Sequence, residues 1–114
     1  MKTERQVLID ARALIEAPNR WTKGSNARDR NHLPAEPVGP DACSFCAAGA
    51  VMRAAGVLTA DDRVRGVFER LQDNIEAEGE GEFYWSLQRF NDAPEVSHAD
   101  VLALFDRAIE GLPS

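Results

Sequence analysis

The chain has 114 residues, 44% hydrophobic and 28% charged, enough for one domain (1–114) that buries about 65% of its unfolded surface without help from disulfides or metal. A formal net charge of −6 excludes a general nucleic-acid binder, which needs clustered Lys and Arg to neutralise phosphates. No apolar run approaches the ~20 residues of a membrane span or the core of a signal peptide, so a cytoplasmic protein with reduced cysteines is expected.

The charge is uneven. Residues 1–32 carry seven Lys/Arg against four Asp/Glu, and residues 33–114 carry six against fifteen. Lacking a tight basic cluster with interleaved aromatics, the N-terminal excess reads as solvating charge.

Thr3 can cap a first helix with Glu4 in its first turn. Val7, Leu8, Ala11, Leu14 and Ile15 recur on one face of a 3.6-residue period. Pro18 and Asn19 end it, because proline cannot continue the hydrogen-bond ladder. Residues 19–40 hold three prolines and two glycines among Asn and Ser, which is turn chemistry, with room for a short helix within Ser25–Asn31. Structureless loops this long are uncommon in compact domains and are often functional. Trp21 is the natural anchor of this one against the core.

The stretch Gly39–Gly56 reads as a central helix. Gly39, Pro40 and Asp41 give a start signal, small residues follow, and Gly56 is a stop. Gly49 in mid-helix costs up to ~1 kcal/mol relative to alanine, and close backbone approach by a neighbour would offset it. Thr59 with Asp62 opens a third helix in a capping-box-like arrangement, with Val64, Val67, Phe68, Leu71 and Ile75 as its apolar stripe. Glu76–Glu82 is a solvated acidic turn. Phe83–Phe90 alternates like a strand at Phe83, Trp85 and Leu87 and fits a helix face at Phe83, Leu87 and Phe90. With no second strand in view, a short helix or turn is the better reading. Asn91–Pro94 reads as a turn. Ser97 with Asp100 is a capping box for the last helix, whose buried face is Val101, Leu102, Phe105, Ala108 and Ile109. The expected fold is all-α: a compact bundle of about four helices plus a short aromatic segment, with the long N-terminal loop packed on the core.

Candidate chemistry is sparse. Cys43-Ser44-Phe45-Cys46 is a C-x-x-C, but a thioredoxin-type role wants a strand–helix framework that this chain lacks. Adding His32 and His98 makes four zinc-type ligands at spacings that match no finger pattern. Neither a metal nor a cofactor is expected. Cys46 as nucleophile with His98 as base, oriented by Asn91, Asp92 or Asp100, has the residue types of a cysteine hydrolase or transferase. Placed inside the helix, Cys46 would feel a weakened dipole, and burial would raise its pKa. Free cysteine packing as a small hydrophobe is the plainer account.

Several motifs occur together. They are Trp21-x-x-Gly24, Phe45-Cys46-Ala47-Ala48-Gly49-Ala50 followed by Arg53-Ala54-Ala55, Phe90-Asn91-Asp92, and His98-x-x-Val101-Leu102 through Asp106-Arg107-Ala108-Ile109. The set resembles an uncharacterised family of small bacterial and phage proteins with W-x-x-G, aromatic-C-x-x-G-A and N-D motifs. Phe45 stands where that family usually has tryptophan, and Cys43 falls outside the pattern, which weakens any two-cysteine reading. The resemblance implies no activity. It marks Trp21, Gly24, Cys46, Gly49, Asn91 and Asp92, with Trp21, Asn91 and Asp92 as the binding candidates if loop, central helix and N-D turn converge on a polar pocket. The functional expectation is an accessory protein that binds a protein partner, in a phage setting by occupying a host factor's surface. Cysteine-dependent chemistry at Cys46 and His98 is the alternative.

Overall fold

The first helix, α1 (Glu4–Leu14), starts where the Thr3 hydroxyl accepts the Gln6 N–H at 3.1 Å. Its periodic face delivers Val7, Leu8, Ala11 and Ile15 to the core, as the spacing predicts. In the computed structural model, which describes residues 2–57, 62–77 and 87–112, a 3-10 helix at Pro18–Arg20 follows. Two short strands come next, β1 (Ala27–Arg28) and β2 (Ser44–Phe45). The remaining helices are α2 (Ala47–Ala55), α3 (Asp62–Ala77), α4 (Leu87–Asp92) and α5 (His98–Glu110).

The protein is mostly helical, but the all-α expectation fails at the two strands. They pair antiparallel, Ala27 opposite Phe45 and Arg28 opposite Ser44, and this pairing replaces the short helix that the sequence allows within Ser25–Asn31. Trp21 bridges the other side of Phe45 in parallel. The loop is therefore laid along both edges of β2: the Thr22 N–H donates to Phe45 O (3.0 Å), Cys43 N–H to Arg28 O (2.8 Å), and Cys46 N–H to Asn26 O (3.2 Å).

This pairing shortens the central helix. It begins at Ala47, well after Gly39-Pro40-Asp41, because residues 44 and 45 are used as strand. The helix N-cap is Cys46, extended at φ −79° and ψ 175°, whose sulfur accepts the Gly49 N–H at 3.3 Å. Gly56, left-handed at φ 74°, closes it in a Schellman arrangement: the Val57 N–H donates to Met52 O, and the Gly56 N–H to Arg53 O. Residues 47 through 52 are all buried, so α2 is the slim central element that its composition predicts.

Around it, α1 packs on α2, α5 and α3, while α3 packs on α5 and α2. Phe45, Phe90 and Phe105 fill the centre with Leu8, Ile15, Leu71 and Leu104. The α3 stripe of Val64, Val67, Leu71 and Ile75 is buried as its period requires. The Thr59 cap, the turn beyond Ala77 and residues 83–86 of the aromatic stretch lie outside the described residues. The second half of that stretch is helical, in α4. Ser97 and Asp100 form the expected capping box of α5. Arg12 ties α1 to α5 through Asp106, Nε to Oδ1 at 2.6 Å. Both partners are partly exposed, so the pair contributes at most about 1 kcal/mol.

Candidate functional site

Helix α4 presents one polar side chain to the core. Asn91 is fully buried, and it lies in the last turn of the helix, not in the turn that its neighbours Asp92 and Pro94 suggest. A buried amide is costly unless all of its donors and acceptors are used. Here they are. The Asn91 Oδ1 accepts the Trp21 Nε1–H (2.6 Å) and the Ala47 N–H (3.0 Å); its Nδ2 donates to Thr22 O (3.0 Å) and Asp92 Oδ1 (3.0 Å). One side chain thus fastens the loop, the open start of α2 and its own neighbour.

The other motif residues extend this fastening. Asp92 Oδ1 also accepts the Gly24 N–H at 2.9 Å, and Gly24 sits at φ 80°, where any side chain is strained. Lys23 reaches over the Trp21 ring, 5.4 Å from its centroid, and donates to Ala93 O and to Val96 O. Asn26 lies across the first turn of α2. Its carbonyl is so close to Gly49 that a Cβ there would fall 1.7 Å from the oxygen, which is the close approach that offsets glycine's cost in the helix.

Trp21, Asn91 and Asp92 therefore converge, with Asn91 bonded to both of the others and all three bonded to the chain around them. His98 joins their edge: its ring lies 5.6 Å from that of Trp21, and its Nε2 is 2.6 Å from Ile15 O. A carbonyl only accepts, so Nε2 carries the proton. The groups proposed to orient this imidazole are engaged elsewhere, Asp100 on the Ser97 N–H and Asn91 and Asp92 as described.

Cys46 has no exposed surface. Its sulfur contacts the Gly49 N–H and, at 3.7 Å, Asn26 Oδ1. The sequence places it inside the helix; it is instead the cap, where a dipole would favour thiolate. Burial wins. Loss of solvation raises the thiol pKa above its ordinary value, and the nearby Asp92 charge adds to the rise, against smaller lowering by the α2 amides. Both cysteines are free, Cys43 exposed, and no group of three or more His, Cys, Asp or Glu among the described residues could hold a metal ion. A thiol reagent near neutral pH is expected to modify Cys43 readily and Cys46 at least about a hundredfold more slowly, limited by opening of the fold. Comparable rates by mass spectrometry would contradict the enclosure.

Sequence reasoning missed the outer loop. Asp29 Oδ1 accepts the N–H groups of Asn31 (2.8 Å) and Leu33 (3.0 Å), and the Asp29 N–H donates to Leu33 O (2.8 Å). Both backbone polar groups of Leu33 are thus held by one residue. Arg28 binds the loop from within, Nε to Thr22 Oγ1, Nη1 to His32 O and Nη2 to Lys23 O, each at 3.0–3.1 Å. His32 occupies φ 67°, a sparsely populated region for a residue with a side chain. The side chain of Leu33 is 59% exposed at this tip. An apolar residue inside Asp29-Arg30-Asn31-His32-Leu33-Pro34 was the available signal.

The chain matches the model of a family of unknown function, DUF6197, over residues 1–111, and it belongs to that family. No curated protein and no solved structure matches it. Among the described residues, no helix is long and apolar enough to cross a membrane.

Proposed function

We propose that this protein is a binding module whose contact surface is the tip of the loop between β1 and β2, with Leu33 as the apolar anchor for a protein partner. One observation carries the reading. Leu33, the exposed large hydrophobic side chain among the described residues, stands on backbone held at both its N–H and its C=O. An exposed leucine alone means little. An exposed leucine on a segment fixed by two side-chain clamps binds without first losing backbone freedom, and that ordering term is a principal cost of association.

Arg30, His32 and Asp29 surround the tip, so the complementary surface is an apolar pocket with a polar rim of mixed charge. In a phage setting such a partner would be a host factor whose own contact surface the loop occupies. The buried network of Trp21, Asn91 and Asp92 acts as the fastening that keeps the loop in register, not as the contact. The reading of Cys46 and His98 as a catalytic pair draws no support from an enclosed thiol of raised pKa and an imidazole bonded to Ile15 O.

A photoreactive amino acid at position 33, compared with one at exposed Glu110, tests the proposal in cells. A discrete protein adduct at 33 and not at 110, lost when competed by the unlabelled protein but not by its Leu33→Asp variant, is the expected result. Leu33→Asp itself should change stability by no more than about 0.5 kcal/mol. Identical adducts at both sites, or none at 33, would count against the loop as the contact.

A further inference from the structure

A cleft of about 470 Å³ lies where the end of α1, the 3-10 helix and the C-terminal half of α2 meet. That volume is in the range of small-molecule sites. Ala13, Leu14, Ala17 and Ala54 give it apolar walls, and Lys2, Asp10, Glu16, Arg20 and Arg53 contribute charge.

The charges are not equivalent. Lys2 pairs with Asp10 at 2.8 Å and also donates to Ala54 O at 2.8 Å, while Glu16 is taken by Arg12 at 3.1 Å. Arg20 and Arg53 have no carboxylate partner among the described residues. Arg53 is moreover held in place, its Nη1 donating to Gly39 O (2.8 Å) and Pro37 O (3.2 Å). Carbonyls restrain a guanidinium without cancelling its charge. Two arginines without carboxylate partners among the described residues, beside an apolar-walled cleft in a chain of net charge −6, are complementary to an anion that carries an apolar body.

We propose that this cleft binds a small organic acid, its aliphatic body against Leu14, Ala13, Ala17 and Ala54 and its carboxylate on Arg53 and Arg20. Planar guanidinium groups match carboxylate geometry. The restrained Arg53 supplies the fixed half of the site, and the exposed Arg20 closes over the ligand.

Hexanoate is the probe, with hexanol as its uncharged counterpart, followed by amide chemical shifts of the full-length protein. Saturable shifts at Ala13, Leu14, Ala17 and Ala54 with hexanoate, at roughly millimolar affinity, are expected. Hexanol should bind on the order of tenfold more weakly, because it cannot accept a charge-assisted bond. Arg20→Gln, at an exposed position whose loss leaves the fold intact, should weaken hexanoate severalfold and leave hexanol unchanged. Arg53→Gln gives the same comparison where its unfolding curve matches the parent's. Shifts that do not saturate, shifts outside the cleft, equal affinity for hexanol, or no effect of Arg20→Gln would each overturn the proposal.

Discussion

Replacing Asn91 with leucine is expected to destabilise the protein by about 3–5 kcal/mol, the largest effect of any single polar substitution among the described residues. Leucine keeps the branched shape of asparagine and is the larger of the two, so cavity formation is not the source. The loss comes from stranded partners: the Ala47 N–H at the start of α2, the Thr22 carbonyl and the Trp21 indole N–H each lose their bond to the amide. A buried donor or acceptor left unpaired costs about 1–3 kcal/mol, more than a typical hydrogen bond contributes net. Trp21 is only partly buried and can turn to water, so its share is the smallest. Asn91→Asp should be as damaging for a different reason. It keeps the acceptor but sets a carboxylate against Thr22 O and Asp92 Oδ1, where the amide now donates. Chemical denaturation of the two variants checks this, and a loss below about 1 kcal/mol in both would show that the network is not holding the structure.

Gly49→Ala should destabilise by about 2–4 kcal/mol, opposite in sign to what helix propensity predicts. In an unobstructed helix, alanine for glycine gains up to ~1 kcal/mol. Here the added Cβ would meet Asn26 O at 1.7 Å and Asn26 C at 2.7 Å. These are backbone atoms that cannot rotate away. Relief requires moving the loop, which breaks the Cys46 N–H bond to Asn26 O and the β1–β2 pairing beside it. Gly111→Ala is the control, because its Cβ would find only ordinary contacts, the nearest at 3.6 Å. Thermal melts should separate the pair by roughly 10–15 °C. A neutral or stabilising Gly49→Ala would mean that the loop does not lie where it is described.

The elements most legible in the sequence are those whose information is local. Thr3, the period of Val7 through Ile15, and the Ser97–Asp100 box define α1 and α5 from within a few residues. The start of α2 departs from its local signal because its cause is distant. Gly39-Pro40-Asp41 is a sound start signal by itself, but residues 44 and 45 are claimed by strand pairing with residues 27 and 28. Cysteine is also not a residue expected at an N-cap. The Asn-Asp pair reads as a turn by propensity, yet both residues are helical, because Asn91 must face the core to reach Ala47 and Thr22.

The candidate site was legible as residue types and not as wiring. The resemblance marked Trp21, Gly24, Cys46, Gly49, Asn91 and Asp92, and packing accounts for all six: a ring pinned by an amide, a loop glycine at positive φ, a cap, a close approach and two fasteners. The Asp29 clamp beneath Leu33 could not be read, since it depends on a turn geometry set by β1 and by Arg28. That no described carboxylate pairs with Arg20 or Arg53 likewise depends on where the carboxylates of other elements fall.

The account rests on a loop that is rigid before any partner arrives. Backbone 15N relaxation of the free protein tests this most directly. Order parameters for residues 29–33 of about 0.8 or higher, level with those of α1 and α5, are the predicted result. Values below about 0.6 across the tip, with helices at the rigid level, would contradict it.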